Sequence, residues 1–138
     1  MTKSILIAIG TAALLVGCGG NKVDQLYDAL EGAAKEGCQC EALTGMTESV
    51  CVAMVEAELP TDSELDCLHA AYDRNADAVD PAADCQIDAA KDWTSCLDDA
   101  ACNAIAAPAC FDAYQARLDL CPSTPPSVDA EFAACLGG

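Results

Sequence analysis

The sequence predicts an all-α protein, a small disulfide-stapled bundle of about five short helices. Leu, Ile, Val and Phe together make up about a sixth of residues 18–138. A strongly charged chain in which these residues fall below roughly one-fifth usually stays unfolded. Ten cysteines follow Cys18, and cross-links between them offset the chain entropy that so thin a core leaves uncompensated. Apolar residues recur at helical spacing, and no alternating run is long enough for a strand.

The first three helices are predicted from apolar spacing and from start and stop signals. Residues 23–34 form the first, with Gly37 as its stop. The second contains residues 50–55 and ends before Pro60. The segment Thr61-Asp-Ser-Glu64 is a capping box, in which the threonine and glutamate side chains satisfy free N–H groups of the first turn. The third helix therefore begins at this box.

Proline and serine mark the starts of the later helices. Asp80-Pro81 predicts that the third helix ends and a fourth begins, because proline is favoured at the first helical position. Pro108 begins a fifth helix. Ser127 is the predicted cap of a last helical piece that reaches Cys135.

Cysteine spacing predicts two disulfide bonds. Cys85 and Cys96 are 11 residues apart, as are Cys110 and Cys121. In a helix this spacing puts the two cysteines of each pair on one face, with about 16 Å between them along the axis. That distance is too long for a disulfide bond within the helix. Folding the two helices antiparallel about residue 103 pairs Cys96 with Cys110 and Cys85 with Cys121. This pattern resembles the twin-cysteine hairpins of the coiled-coil-helix-coiled-coil-helix proteins, although ten residues rather than nine lie between the cysteines. The likeness is architectural only.

The other six cysteines are assigned less sharply by the same geometry. Cys51 and Cys67 flank Pro60 and are predicted to join the second helix to the third. The last two bonds use Cys38, Cys40, Cys102 and Cys135, with the pairing left open.

The N-terminus has the pattern of an export signal. Lys3 precedes an apolar run over residues 5–17, which as a helix is about 20 Å long and too short to span a bilayer core of roughly 30 Å. A cation, a short apolar run and then small residues are the order of a cleavable signal peptide. We therefore divide the chain into a signal peptide (residues 1–17), a tether (residues 18–22) and a cysteine-rich helical domain (residues 23–138).

Leu15-Val16-Gly17-Cys18 at the end of this run resembles the lipobox of bacterial lipoproteins. The resemblance implies cleavage after Gly17, a diacylglyceryl thioether on Cys18 and an acyl chain such as palmitate on its amino group, and two or more chains anchor stably. In that family an aspartate after the lipidated cysteine favours the inner membrane, so Gly19 favours the outer membrane. The alternative is a plain secretory signal, with Cys18 in a disulfide bond.

The charge of the chain argues against nucleic-acid binding, and its motifs give no indication of catalysis. The chain has 23 acidic and 6 basic side chains, for a formal net charge of −17, and it lacks the Lys/Arg clusters that nucleic-acid binding needs. His69 is the only histidine, so no histidine-based metal cluster is expected. Since no cofactor motif or nucleophile-elbow serine occurs, we expect no cofactor and a non-catalytic envelope lipoprotein. It would act as an interaction or structural module for an envelope protein that the sequence does not identify.

Divalent-cation binding is one alternative function. Asp73, Asn75 and Asp77 match positions 1, 3 and 5 of an EF-hand calcium loop, but Ala78 replaces the glycine at position 6 and Asp84 the glutamate at position 12. The other interpretation of this segment is a solvated acidic turn between the third and fourth helices.

A thiol-redox factor built on Cys38-Gln39-Cys40 is the second alternative. A closely spaced cysteine pair can exchange with other thiols, yet an active thiol needs an activating cation, and only Lys35 is near in sequence. The competing interpretation is that the two cysteines clamp one loop to different helices.

Overall fold

Six helices make up the fold over residues 21–137, which are the residues that the computed structural model describes. In chain order they are α1 (Lys22–Cys38), α2 (Glu41–Thr44), α3 (Glu48–Ala57), α4 (Asp62–Ala100), α5 (Ala106–Leu118) and α6 (Pro126–Cys135). No strand occurs over this range, and the predicted all-α, disulfide-stapled bundle is confirmed. The predicted signal peptide and the predicted lipidation site, Cys18, lie outside the described residues.

The central helix, α4, is 39 residues long and packs against α1, α5 and α6. Its start is the predicted capping box. Thr61 Oγ1 accepts a hydrogen bond from the Glu64 backbone N–H at 3.4 Å, and Glu64 accepts one from the Thr61 backbone N–H at 2.7 Å. Among the described helices, none combines the length and the apolar character needed to cross a membrane.

The predicted helix break at Asp80-Pro81 is wrong. The helix continues through Pro81 and departs from helical geometry at Asn75 instead, with φ −126° and ψ 15°. Asn75 Nδ2 donates to the Ala71 carbonyl at 2.8 Å and to a Glu131 carboxylate oxygen at 2.9 Å, so α6 holds the kink in place. Both sides of the kink bury apolar residues, and this packing keeps the chain helical across a proline that lacks an N–H to donate.

The later helix starts also differ in detail from the sequence signals. The fifth helix begins at Ala106, before Pro108. The last begins at Pro126 with Pro125 in the capping position, so the prediction that Ser127 caps it is wrong. Proline at the first helical position supplies this start, because its fixed φ already suits the helix.

Five disulfide bonds use every cysteine in the described range. Cys96–Cys110 and Cys85–Cys121 are both formed as spacing predicts, each with its Cα atoms 5.6 Å apart. They fasten α5 and the turn after it to the second half of α4. All five bonds lie within residues 21–137, so this part of the chain contains the cross-links that hold it together.

The predicted bond between Cys51 and Cys67 is wrong. Cys51 bonds to Cys38, and Cys67 bonds to Cys135. The reason is that α3 packs against α1 rather than alongside the start of α4. The fifth bond joins the remaining two cysteines, Cys40 and Cys102.

The hydrophobic core is thin and consists largely of small side chains. Tyr72 and Phe132, both partly buried, pack against two separate clusters and so connect them. The clusters are Val23, Leu68, Ala71 and Cys135, and Val79, Ala83 and Val128. No polar or charged residue of the described range is buried. The disulfide bonds therefore supplement a core that contains few large apolar side chains.

Basic side chains form ion pairs between neighbouring helices. The ion pairs between helices are Lys22–Asp84, Lys35–Glu56, Arg74–Glu131 and Arg117–Asp92. Exposed pairs of this kind contribute at most about 1 kcal/mol each. Their main effect is to place cations between helices that carry an excess of carboxylates.

Candidate interaction surface

An open apolar groove of about 450 Å³ lies between α1 and α3. It is lined by Tyr27, Leu30, Glu31 and Ala34 of α1, Cys51, Met54 and Val55 of α3, and Met46, Glu58 and Leu59 beside them. Spacings of three and four residues put each set on one face of its helix. The groove is within the volume range of ligand sites in proteins.

The two walls of the groove are held by a disulfide bond and an ion pair. The Cys38–Cys51 bond joins the end of α1 to the start of α3, with a Cα separation of 5.4 Å. Lys35 Nζ donates to a Glu56 carboxylate oxygen at 2.9 Å and lies 2.6 Å from a Glu31 carboxylate oxygen. Hydrogen bonds to these two glutamates raise the pKa of Lys35. The helices therefore run antiparallel, with this lysine engaged between them.

Helix α3 leaves its apolar side chains accessible. Its sequence is ESVCVAMVEA, yet it contains no buried residue. Val50 is 51% exposed and Met54 is 55% exposed. A contiguous apolar patch on a soluble domain marks a site of interaction more often than single apolar side chains do. This helix therefore presents a surface that the rest of the described chain does not cover.

The rim of the groove is acidic. Two glutamates, Glu31 and Glu58, line it, and none of its lining residues is Lys or Arg. Burial, followed by the charge of nearby Glu64, raises the pKa of Tyr27 at the groove wall. The groove thus combines an apolar floor with negative charge at its edge.

A second groove, of about 210 Å³, lies between α1, α4 and α6. Val23, Val79, Val128 and Phe132 line it, and these residues also belong to or pack against the core clusters. The second groove is therefore part of the boundary of the core, whereas only Tyr27 connects the lining of the α1–α3 groove to a core cluster.

The residues considered for cation binding lie within α4 rather than in a loop. They are Asp73, Asn75, Asp77 and Asp84. The structure does not support the EF-hand-like interpretation, because the segment is helical and spreads Asp73, Asp77 and Asp84 over about 16 Å of one helix face instead of wrapping them around one ion. Asn75 contacts Glu131, and Asp84 pairs with Lys22. Within residues 21–137, no group of three or more His, Cys, Asp or Glu side chains is arranged to hold a metal ion.

The predicted redox pair is divided between two disulfide bonds. Cys38 bonds to Cys51 of α3, while Cys40 bonds to Cys102 after α4. Both cysteines are buried. The pair therefore clamps the turn after α1 to two different parts of the fold.

The histidine, His69, makes a structural contact between helices. Its Nε2 lies 2.7 Å from an Asp24 carboxylate oxygen and links α4 to α1.

The groove residues were not singled out by sequence reasoning. The available signal was the second predicted helix, which contains more apolar residues than one buried face accommodates. Sequence spacing alone does not distinguish a helix with a covered apolar face from one whose apolar face stays open.

Comparisons with protein-family models, with curated proteins and with solved structures find no match to this chain. Its function is therefore inferred from its own residues and geometry. The two features available for that inference are the set of five disulfide bonds and the open groove between α1 and α3.

Proposed function

We propose that this protein is a non-catalytic lipoprotein of the bacterial cell envelope, anchored through Cys18, whose helical domain acts as an interaction or structural module. The observation that carries the proposal is the pairing of every described cysteine in a disulfide bond. Such dense cross-linking is typical of domains that work in an oxidising, extracytoplasmic compartment. It fixes the relative positions of the helices and leaves none of these thiols for catalysis.

The anchor is supported by the sequence Leu15-Val16-Gly17-Cys18 at the end of a short apolar run. Lipidation of Cys18 supplies two or more acyl chains, which is enough for stable membrane attachment. Gly19 favours the outer membrane as the destination. The short tether then keeps the domain near the bilayer surface.

The interaction role is supported by the accessible apolar side chains of α3. An acidic, disulfide-stapled domain with an open apolar groove has the features of a binding platform. Its disulfide bonds reduce the conformational entropy that the surface loses when a partner binds.

The experiment that tests the anchor compares the wild-type chain with Cys18→Ala in a bacterial host. The wild-type protein is expected in the detergent phase, with the added mass of diacylglycerol and an acyl chain. Cys18→Ala should be released or should keep its signal peptide. Ser4→Ala, outside the lipobox, is the control and should behave as wild type. If Cys18→Ala leaves the mass and partitioning unchanged, the lipoprotein proposal is refuted.

A further inference from the structure

We infer that the α1–α3 groove binds a cationic amphipathic helix of a partner protein. The inference rests on the proposed function as an interaction module and names the chemical class of its partner. It combines three features of the groove, namely its shape, its flexible side chains and the charge of its rim.

The shape of the groove suits a helix. On α3 and its C-terminal cap, the lining residues Cys51, Met54, Val55 and Glu58 follow helical spacing over two turns, or about 10 Å. The groove is open along one side, between two antiparallel helices. A helix laid into such a groove inserts apolar side chains at positions i, i+3 or i+4, and i+7. Two turns of the guest helix therefore match two turns of α3.

Two methionines give the groove an adaptable lining. Met46 and Met54 both line it, and the only other methionine in the chain is Met1. Methionine is unbranched and polarizable, so it adjusts to side chains of different shapes and is common on surfaces that bind amphipathic helices. The same two residues supply methyl groups that report directly on occupancy.

The charge of the rim selects a cationic guest. Glu31 and Glu58 lie at the lining, and Glu64 lies close enough to Tyr27 to raise the pKa of that phenol. Lys35 pairs with Glu31 and Glu56 and so offsets one of these charges, but the glutamates at the groove still outnumber this single lysine. Lysine or arginine stems on the flanks of a guest helix can cover apolar surface and place their charges beside the glutamates.

Two other occupants fit this charge pattern less well. A second copy of this chain would bring the same glutamates face to face, and like charges across an interface are repulsive. A fatty acid would place its carboxylate beside the acidic rim. Both remain as outcomes of the experiment.

The experiment uses residues 19–138, which contain all five disulfide bonds, labelled with ¹³C at the methionine methyl groups. The probes are three synthetic helical peptides of equal length. One has leucines on a single face and lysines elsewhere. The second replaces every lysine with glutamate. The third keeps the lysines and moves the leucines off the common face. Binding is followed by the shifts of the Met46 and Met54 methyl signals.

The first peptide is expected to shift both methyl signals, with an affinity that falls as salt is added. The glutamate peptide and the rearranged lysine peptide should each bind at least ten-fold more weakly. Equal binding of the glutamate peptide, or equal binding of the rearranged peptide, overturns the inference. So does binding that leaves both methyl signals unchanged, because the peptide then lies elsewhere.

Matched variants separate the groove from the rest of the surface. Met54→Gln removes an exposed apolar group inside the groove, and Leu120→Gln removes one outside it, where Leu120 is 84% exposed. Glu58→Gln and Asp112→Asn each remove one negative charge, at the rim and on α5 respectively. We expect three- to ten-fold weaker binding only for Met54→Gln and Glu58→Gln, with circular dichroism unchanged in all four variants. Equal losses for Leu120→Gln or Asp112→Asn contradict the assignment.

Failure of this inference is distinguishable from failure of the proposed function. Concentration-dependent dimerisation that Met54→Gln abolishes would replace the partner helix with a second copy. Methyl shifts caused by oleate but by none of the peptides would replace it with a lipid. Either result overturns the cationic helix, while lipidation of Cys18 is measured independently.

Discussion

Cys40 and Cys102 are 62 residues apart in sequence, yet a disulfide bond holds their Cα atoms 5.1 Å apart. The bond joins the turn after α1 to the turn after α4. Cys102 has a φ of 62°, and Ala101 before it has a φ of 46°. Two consecutive residues other than glycine therefore occupy the left-handed region at the end of α4, which is unfavourable for a residue with a Cβ atom.

Removal of this long-range bond should destabilise the domain more than removal of a short-range one. In the chain-entropy account, the 62-residue loop is worth about 4 kcal/mol, and the 13-residue loop of Cys38–Cys51 about 3 kcal/mol. We expect the double variant Cys40→Ala/Cys102→Ala to unfold at a lower guanidinium concentration than Cys38→Ala/Cys51→Ala. An equal or reversed order would show that strain or residual structure outweighs loop entropy at these sites.

Glycine at position 101 should stabilise the domain. Ala101 is the C-terminal cap of α4 in a left-handed conformation, where glycine avoids the Cβ penalty. We expect Ala101→Gly to raise the free energy of unfolding by about 1 kcal/mol. The control, Ala100→Gly, changes the last residue of the helix, which does not have a positive φ, and should lower the free energy of unfolding by up to about 1 kcal/mol. Chemical denaturation measures both, and destabilisation by Ala101→Gly would contradict the left-handed conformation at this position.

Local signals predicted the parts of the fold that depend on a few neighbouring residues. The capping box of Thr61 and Glu64 is an example, since both of its hydrogen bonds form within one turn. The Cys96–Cys110 and Cys85–Cys121 bonds were predictable because a short loop brings two helices together as a hairpin. Spacing about that loop then defines which cysteines are opposite each other.

Features that depend on packing between distant segments were not predictable. Spacing about Pro60 suggested that Cys51 bonds to Cys67, but α3 packs on α1 and so places Cys51 beside Cys38. The kink at Asn75 depends on Glu131, more than fifty residues later. The groove was missed for the same reason, because its two walls come from different helices.

Mild acidification should stabilise the domain. Partial desolvation by neighbouring atoms, and then the charges of Glu31 and Asp24, raise the pKa of Asp28, which stays accessible to solvent, and partial desolvation is also the main cause of the raised pKa of Glu36. A carboxyl group whose pKa is higher in the folded state takes up its proton first in that state. Stability therefore rises as pH falls from 7 towards the ordinary carboxyl pKa of about 4. Thermal melts across this range should show the rise, and Asp28→Asn should reduce it.

Stronger acid should reverse this gain. Hydrogen bonds from Arg74, and then from Asn75, lower the pKa of Glu131, and bonds from Thr61 lower that of Glu64. The stability that these carboxylates contribute is present above the ordinary glutamate pKa of about 4.3 and is lost as pH falls through their folded-state pKa. The Glu131→Gln variant lacks this contribution, so it should be less stable than the wild type at pH 7. Its melting temperature should also fall less than that of the wild type below pH 4. A wild-type melting temperature that keeps rising through this range would exclude the contribution.

The domain should not adsorb to anionic membranes through its own charge. Without the signal peptide it has 23 acidic and five basic side chains, and like charges repel across about 8 Å at physiological salt. Because Lys22 already belongs to α1, the chain between Cys18 and this helix is residues 19–21, which reach at most about 11 Å when extended. We therefore expect the anchored domain to stay close to the headgroups without lying flat on them, with the α1–α3 groove accessible.

The measurement mixes residues 19–138 with vesicles of anionic or zwitterionic lipid and sediments them. The protein should remain in the supernatant in both cases, at low and at physiological salt, because residues 19–138 lack the proposed lipidation site and their net charge repels anionic lipid. Adding calcium should change neither the sedimentation nor the melting temperature, since the carboxylates of α4 do not converge on one point. Tight binding to anionic vesicles without calcium would contradict the electrostatic argument. Binding only with calcium, together with a raised melting temperature, would instead support the alternative of a divalent-cation binding protein.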